Sequence, residues 1–198
     1  METIKEKLHN AITEIAHLFY QSDQAFQTIS EAYPREFVCQ KGCSDCCHAI
    51  FDVSFAEAVY IYNCYVRLDK EIQKILKTNS TQAITQWIKL CPSSLEEISK
   101  KRIRCPLLTE TDECACYLAR PINCRTYGVP TQIGDAGHVC GHSGFITGKK
   151  YQTLNLSPLQ ERLLHLSKEL AGEKNGNRRW SIAEVILDRD DMFKNFLI

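Results

Sequence analysis

The chain reads as a mainly α protein: a small helical domain with an irregular, Cys-rich metal-binding core between the helices. Three observations predict this. Apolar residues recur with a helical period near the N-terminus, and Ser-x-x-Glu patterns suited to helix starts stand at Ser54, Ser93 and Ser181. Between Arg104 and Lys150, periodicity gives way to cysteine, proline and glycine. At 198 residues the chain can bury one core without cross-links. The expected organisation is one domain over residues 1–198, with an N-terminal helix to residue 33, a Cys-cluster region over 36–145 and C-terminal helices over 155–198.

Taken in order, Ile4, Leu8, Ala11, Ile15, Leu18, Ala25 and Ile29 follow alternating steps of four and three, with Ser22 the one polar break. Thr3 and Glu6 fit a capping box, and Pro34 disfavours helical geometry at Tyr33. So long a seam calls for a partner, most simply a later helix of the same chain. Ser54 and Glu57 open a second helix expected to carry Phe55, Val59, Tyr62, Val66, Ile72 and Leu76 on one face, with Cys64 as a small core residue. Asn79-Ser-Thr reads as punctuation, and Ile84, Trp87, Ile88 and Cys91 as a short helix stopped by Pro92. Another helix is expected from Ser93 and Glu96, with Leu95, Ile98 and Ile103 apolar. Ser157-Pro158 with Gln160 marks a further start, whose Leu159, Leu163, Leu166 and Leu170 can face the first helix. Residues 172–179 read as a polar turn. Ser181 and Glu184 open a last helix with Ile182, Val185 and Ile186, and the apolar end from Met192 to Ile198 is expected to dock.

Composition excludes several classes. Lys plus Arg and Asp plus Glu both number 24, which disfavours nucleic acid as a partner, since binding phosphates calls for a basic excess. The local patch of Lys100, Lys101, Arg102 and Arg104 suits a solvated helix end. With no long apolar run or processing signal, a soluble, cytoplasmic protein without membrane contact is expected. The eleven cysteines are too sparse for a disulfide scaffold and odd in number, so free thiols are expected.

Cys39-Gln-Lys-Gly-Cys43-Ser-Asp-Cys46-Cys47 places four thiols in nine residues. Packing cannot explain such density; metal ligation can. Spacings of two or three residues let thiolates converge, with Gly42 allowing a close turn. Cys46 and Cys47 are adjacent, so their side chains diverge and cannot easily serve one tetrahedral ion together. Two sites, or a bridged polynuclear site, follow. A second group runs through Cys105-Pro-Leu-Leu, Cys114 and Arg120-Pro-Ile-Asn-Cys124-Arg125-Thr-Tyr127. Arg120 and Arg125 are candidates to offset the charge of the centre and hydrogen-bond its sulfurs. In His138-Val-Cys140-Gly-His142, Cys140 is a candidate thiolate and both histidines candidate imidazoles. His48 is similar, whereas His9, His17 and His165 belong on helix surfaces.

These ordered motifs, from CQKGCSDCC through CPLL and C-x2-Y-x2-RP-x2-CR to Tyr127, resemble the YkgJ-like, or CxxCxxCC, family of cysteine-cluster proteins, described as zinc- or iron-chelating domains. The resemblance spans about residues 36 to 145 and implies Cys39, Cys43, Cys46, Cys47, Cys105, Cys114 and Cys124 as ligands. Cys116 stands where the family usually has an apolar residue, so it is an extra ligand or part of the core. The spacing of Cys39, Cys43 and Cys46 also matches the cluster loop of radical S-adenosylmethionine enzymes. Here Asp45 replaces the aromatic before the third cysteine, and no βα repeat follows; the spacing shows only that such a loop can hold a cubane. The implied cofactor is an iron–sulfur cluster or zinc, and three uses stay open. One is electron transfer or redox sensing, with a protein or redox partner. Another is an enzyme modifying a protein side chain or small substrate, with His48, His138, His142 and Asp45 as candidate titratable groups. The third is a zinc-stabilised helical interaction scaffold.

Overall fold

The computed structural model describes residues 4–90 and 101–198, and the described part is mainly helical. The expected start at Thr3, Cys91 with its Pro92 stop, and the helix from Ser93 lie outside the described residues. Helix α1 (Ile4–Ala32) follows its seam, with Leu8, Ala11, Ile15, Leu18 and Ile29 buried. Ser22 is fully buried yet satisfied, because its hydroxyl donates to the Leu18 carbonyl.

Two expectations about the next segment are corrected. The single helix expected from Phe55 to Leu76 is two, α2 (Phe55–Tyr65) and α3 (Lys70–Leu90). Asp69 offers its carboxylate to the Glu71 amide at 2.8 Å, and the Gln73 amide takes the carbonyls of Val66 and Leu68. Local side chains thus satisfy the groups freed at the break. Nor does Asn79-Ser-Thr end a helix: α3 runs through it, with the Ser80 and Thr81 hydroxyls donating to the carbonyls of Leu76 and Lys77.

Beyond residue 100 follow a 3₁₀ turn (Tyr117–Ala119), α4 (Ile122–Arg125) and strands β1 (Thr131–Ile133) and β2 (Ala136–His138). Strands β1 and β2 form an antiparallel hairpin pairing Thr131 with His138, and β3 (Leu154–Asn155) adds in parallel on the other side of β1. Helix α5 (Ser157–Gly176) is kinked at Gly172, where φ is +73°. The expected polar turn therefore begins with a short helical turn packed back on α5; a Cβ on Gly176 would lie 2.6 Å from the Lys168 Cα. Helix α6 (Ile182–Leu187) starts with the expected Ser181–Glu184 capping box.

Helix α2 occupies the centre. Phe55, Ala58, Val59 and Ile61 are fully buried in a cluster with Trp180, Val185, Ile186 and Phe193. The seams of α1 and α5 meet as expected, with Ile15, Leu18 and Phe19 in one cluster with Leu163 and Leu166. The C-terminus docks: Asn63 donates to the Phe196 carbonyl and accepts from the Ile198 amide. Among the described residues, no helix is long and apolar enough to cross a membrane.

Candidate metal centre

The centre of the Cys-rich region is a 3₁₀ turn, Asp45–Cys47. Residues 101–105 run beside it: the Cys105 amide donates to the Cys47 carbonyl at 2.7 Å, and the Ile103 amide to that of His48 at 3.1 Å. A short antiparallel bridge, Leu108 with Cys114, brings the next cysteine back toward Cys105. Cys124 sits on α4, whose first amide, Ile122 N, donates to the buried Glu57 carboxylate at 2.9 Å. Glu57 also accepts from the Ser54 amide and hydroxyl in the capping box of α2.

Two adjoining spaces result. The inner one is a cavity of about 60 Å³ whose wall includes Cys46, Cys47, Cys105, Cys114, Cys116 and Cys124. Among the described residues, its charged lining consists of Arg104 and Arg120, with no carboxylate or imidazole facing it. The outer one is a cleft of about 770 Å³, walled by α1 at Phe26 and Gln27 and by Cys39, Cys43, Cys140, Asp45 and His142. Cys46, Cys47, Cys114, Cys124 and Arg120 line both. All ten described cysteines are free thiols. Among the described residues, no group of three or more His, Cys, Asp or Glu side chains is already arranged to hold a metal ion; the thiols stand along the walls.

Burial shapes the acidity of these thiols. Desolvation pushes Cys105 up to about 12, Cys39 up to about 11 and Cys124 well above the ordinary thiol range. Cys46 moves the other way, to about 7: a hydrogen bond from Cys47 outweighs burial, and the Arg120 charge helps. Cys47, as the donor, is raised.

The two arginines are employed differently. Arg120 stacks on Tyr117, with Cζ 3.7 Å from the ring centroid, and its Nε donates to the Tyr117 carbonyl. It has no carboxylate partner among the described residues, and its charge works to lower the pKa of Cys46, Cys114 and Cys124, against the burial that raises the last two. Arg125 is buried, and its bonds go to the Asp23 carboxylate at 2.6 Å and to the carbonyls of Arg120 and Leu118, with its guanidinium over Phe19. It pins the 117–120 turn to α1.

Asp45 is a node that spacing does not reveal. It is buried, and its carboxylate accepts from Arg102, from the Tyr127 hydroxyl at 2.8 Å and from the Cys140 thiol at 3.4 Å. His142 Nε2 lies 3.1 Å from it. Burial raises its pKa, yet the bonds from Arg102, Tyr127 and Cys140 hold it below the usual value. Arg102, read from sequence as part of a solvated helix end, thus serves the Cys loop, while Arg104 turns to the Thr109 carbonyl and Glu110. Of the other candidates, His48 Nδ1 lies 3.0 Å from the Ser44 carbonyl oxygen, and His138 stands at the exposed end of β2, its ring 6.0 Å from Tyr127. Cys116 is buried in the main core, in hydrogen-bond contact with Cys64 on α2. Cys39 packs against Gly128, which has a φ of +105° and room for no side chain without crowding the cysteine Cβ at 3.3 Å.

The thiols that line both spaces, with the Arg120 guanidinium beside them, form a donor set suited to a thiophilic ion or cluster. When bound, an iron–sulfur group would supply one-electron chemistry, and zinc would supply structural closure. Comparison with family models, curated proteins and solved structures found no match.

Proposed function

We propose that this chain is a metal protein whose cysteine-lined interior holds a polynuclear thiolate centre, iron–sulfur or zinc, with electron transfer or redox sensing as the use of an iron form. One observation carries the reading: thiols from three separate segments line adjoining spaces around Arg120, a half-buried cation with no carboxylate partner among the described residues. A charge partly withdrawn from water without a counter-charge carries a cost that grows with its burial. Thiolates on a bound metal would supply the missing negative charge. Such a protein belongs in the reducing cytoplasm, where thiols persist, and fits the cysteine-cluster family it resembles.

Protein purified without oxygen tests this by elemental analysis with optical and EPR spectra. Iron with acid-labile sulfide, visible absorption and an EPR signal on reduction identify the cluster form. Zinc in a colourless protein identifies the other. A folded chain that retains neither metal, and takes up neither on reconstitution, overturns the proposal.

The outer cleft favours a second reading, an enzyme acting on a small substrate or a protein side chain. Its volume of about 770 Å³ lies within the ~300–1,000 Å³ of small-molecule sites, and Asp45 and His142 face it beside the thiols. Turnover lost in both Asp45→Asn and His142→Gln, with metal content unchanged, is the result this reading requires.

A further inference from the structure

We propose that Cys64 and Cys116 form a redox-active pair, in which a hydroperoxide oxidises Cys64 and Cys116 closes a disulfide onto it. Neither is among the cysteines that the family resemblance implies as ligands, and the inference stands whether or not the centre holds metal.

Placement supplies the first argument. Cys64 lies in the last turn of α2, and Cys116 stands immediately before the 3₁₀ turn Tyr117–Ala119, which packs on that helix. Their thiols are in hydrogen-bond contact at the main core cluster, and both are free. Sulfurs in contact stand within a short side-chain rotation of an S–S bond of about 2.05 Å. The backbone on each side is held: the Cys64 carbonyl accepts from the Arg67 amide at 3.2 Å, and the Cys116 carbonyl from the Ala119 amide at 2.9 Å.

Exposure separates the roles. Cys64 is half-buried, so a small oxidant can reach it, whereas Cys116 is buried between the core and the inner cavity. The hydrogen bond from Cys116 outweighs burial and, with the Arg67 charge, draws the Cys64 thiol down to about 7. An accessible thiol that ionises readily, poised against a second thiol that can resolve it, is the arrangement of redox-sensor cysteines.

The chemistry balances in two steps. The Cys64 thiolate attacks one peroxide oxygen, the O–O bond breaks, and the other oxygen leaves with a proton as an alcohol or water. The Cys116 sulfur then attacks the Cys64 sulfur; the S–S bond forms, the S–O bond breaks, and hydroxide leaves with the Cys116 proton as water. Two thiols are oxidised and the peroxide takes both electrons. The new bond would tie the turn that carries Arg120 to α2, as Arg125 already ties it to α1.

Hydrogen peroxide is the probe. The reduced full chain, with zinc in place of any iron that would itself react, is treated with one equivalent, alkylated and digested with chymotrypsin. Cutting after Tyr62 and Tyr65 separates Cys64 from every other cysteine, and fragmentation of the peptides distinguishes Cys116 from Cys114. The Cys64–Cys116 link should be at least about tenfold more abundant than any other disulfide, and dithiothreitol should reverse it. In Cys116→Ser, dimedone should capture Cys64 as the sulfenic acid; in Cys64→Ala, Cys116 should stay a thiol. If Cys116→Ser fails to fold, the map of the unmodified chain still decides. Cys64 and Cys116 left as free thiols after the treatment, or Cys64 linked to a different cysteine, overturns the pair and leaves the metal reading untouched.

Discussion

Glu57 and Ile122, sixty-five residues apart, are joined by one hydrogen bond in which a buried carboxylate accepts the first amide of the helix carrying Cys124. The same carboxylate closes the capping box of α2 through the Ser54 amide and hydroxyl. One acidic side chain thus stabilises two helix starts, where backbone amides would otherwise lack partners. Glu57→Ala leaves those donors without an acceptor inside the core, at about 1–3 kcal/mol for each orphaned group. The expected outcome is a loss of roughly 2–4 kcal/mol, read as a lower urea midpoint with an unchanged slope. Glu57→Gln should cost less, because its one carbonyl can keep part of the pattern.

How much of this was legible depended on the range of the interaction. The α1 seam, and the Ser54 and Ser181 capping boxes, are local patterns that repeat within a few residues, and they fold as read. The end of α2 is hidden in the sequence because Val66, Ile72 and Leu76 continue an apolar face, while Asp69 and Gln73 supply an alternative for the backbone that only short-range hydrogen bonding explains. Asn79-Ser-Thr looked like a stop because these residue types favour turns, yet the Ser80 and Thr81 hydroxyls can bond to the preceding turn and stay helical. Cysteine density located the candidate centre. Its polar supports, Arg102 and Tyr127 on Asp45, were illegible as a unit, because residues fifty-seven and eighty-two positions away share no period with it.

Asp45 holds the outer wall together, so Asp45→Ala should loosen it. The substitution removes the acceptor shared by Arg102, Tyr127 and Cys140. Arg102 is half exposed and can turn to solvent, so the loss falls below the ~3–5 kcal/mol of a fully buried pair, at about 1–3 kcal/mol. Because the folded-state pKa of Asp45 is depressed, its contribution is present above the ordinary carboxylate value of 3.8 and is lost as pH falls below it. A urea titration series from neutral to acid pH should show wild type and Asp45→Ala converging at the acid end. Parallel curves would deny Asp45 this role.

Gly128→Ala probes the seat of Cys39. At a φ of +105° a side chain is strained, and the new Cβ would stand 3.3 Å from the cysteine Cβ. A cost of about 1–2 kcal/mol is expected from the backbone alone, together with faster alkylation of Cys39 as it is pushed outward. Peptide mapping after a timed alkylation pulse measures this, with Gly134→Ala as control: Gly134 also has a positive φ, but nothing stands near its would-be Cβ.

The thiol acidities predict an unusual pH dependence for the metal-free chain. Burial raises Cys39 to about 11 and Cys105 to about 12 from an ordinary value of 9.0, and Cys124 is raised too. A thiol that holds its proton more tightly when folded contributes stability that is whole below the unfolded value and declines as pH climbs toward the folded one. Cys46, lowered to about 7, does the reverse, gaining stability between about 7 and 9. The chain without metal should therefore hold or gain stability up to about pH 9 and lose it steeply above, as several buried thiols compete to ionise. Metal changes the sign of this problem, because ligation requires the thiolate and expels the proton. Loading with zinc should release protons in a weakly buffered solution and remove the alkaline loss. Arg120→Ala should shift the thiolate absorbance of Cys46 to higher pH in the metal-free chain and weaken metal retention in the loaded one, while Arg120→Lys restores part of both. Unchanged titration in Arg120→Ala would mean that the guanidinium serves only the Tyr117 stack.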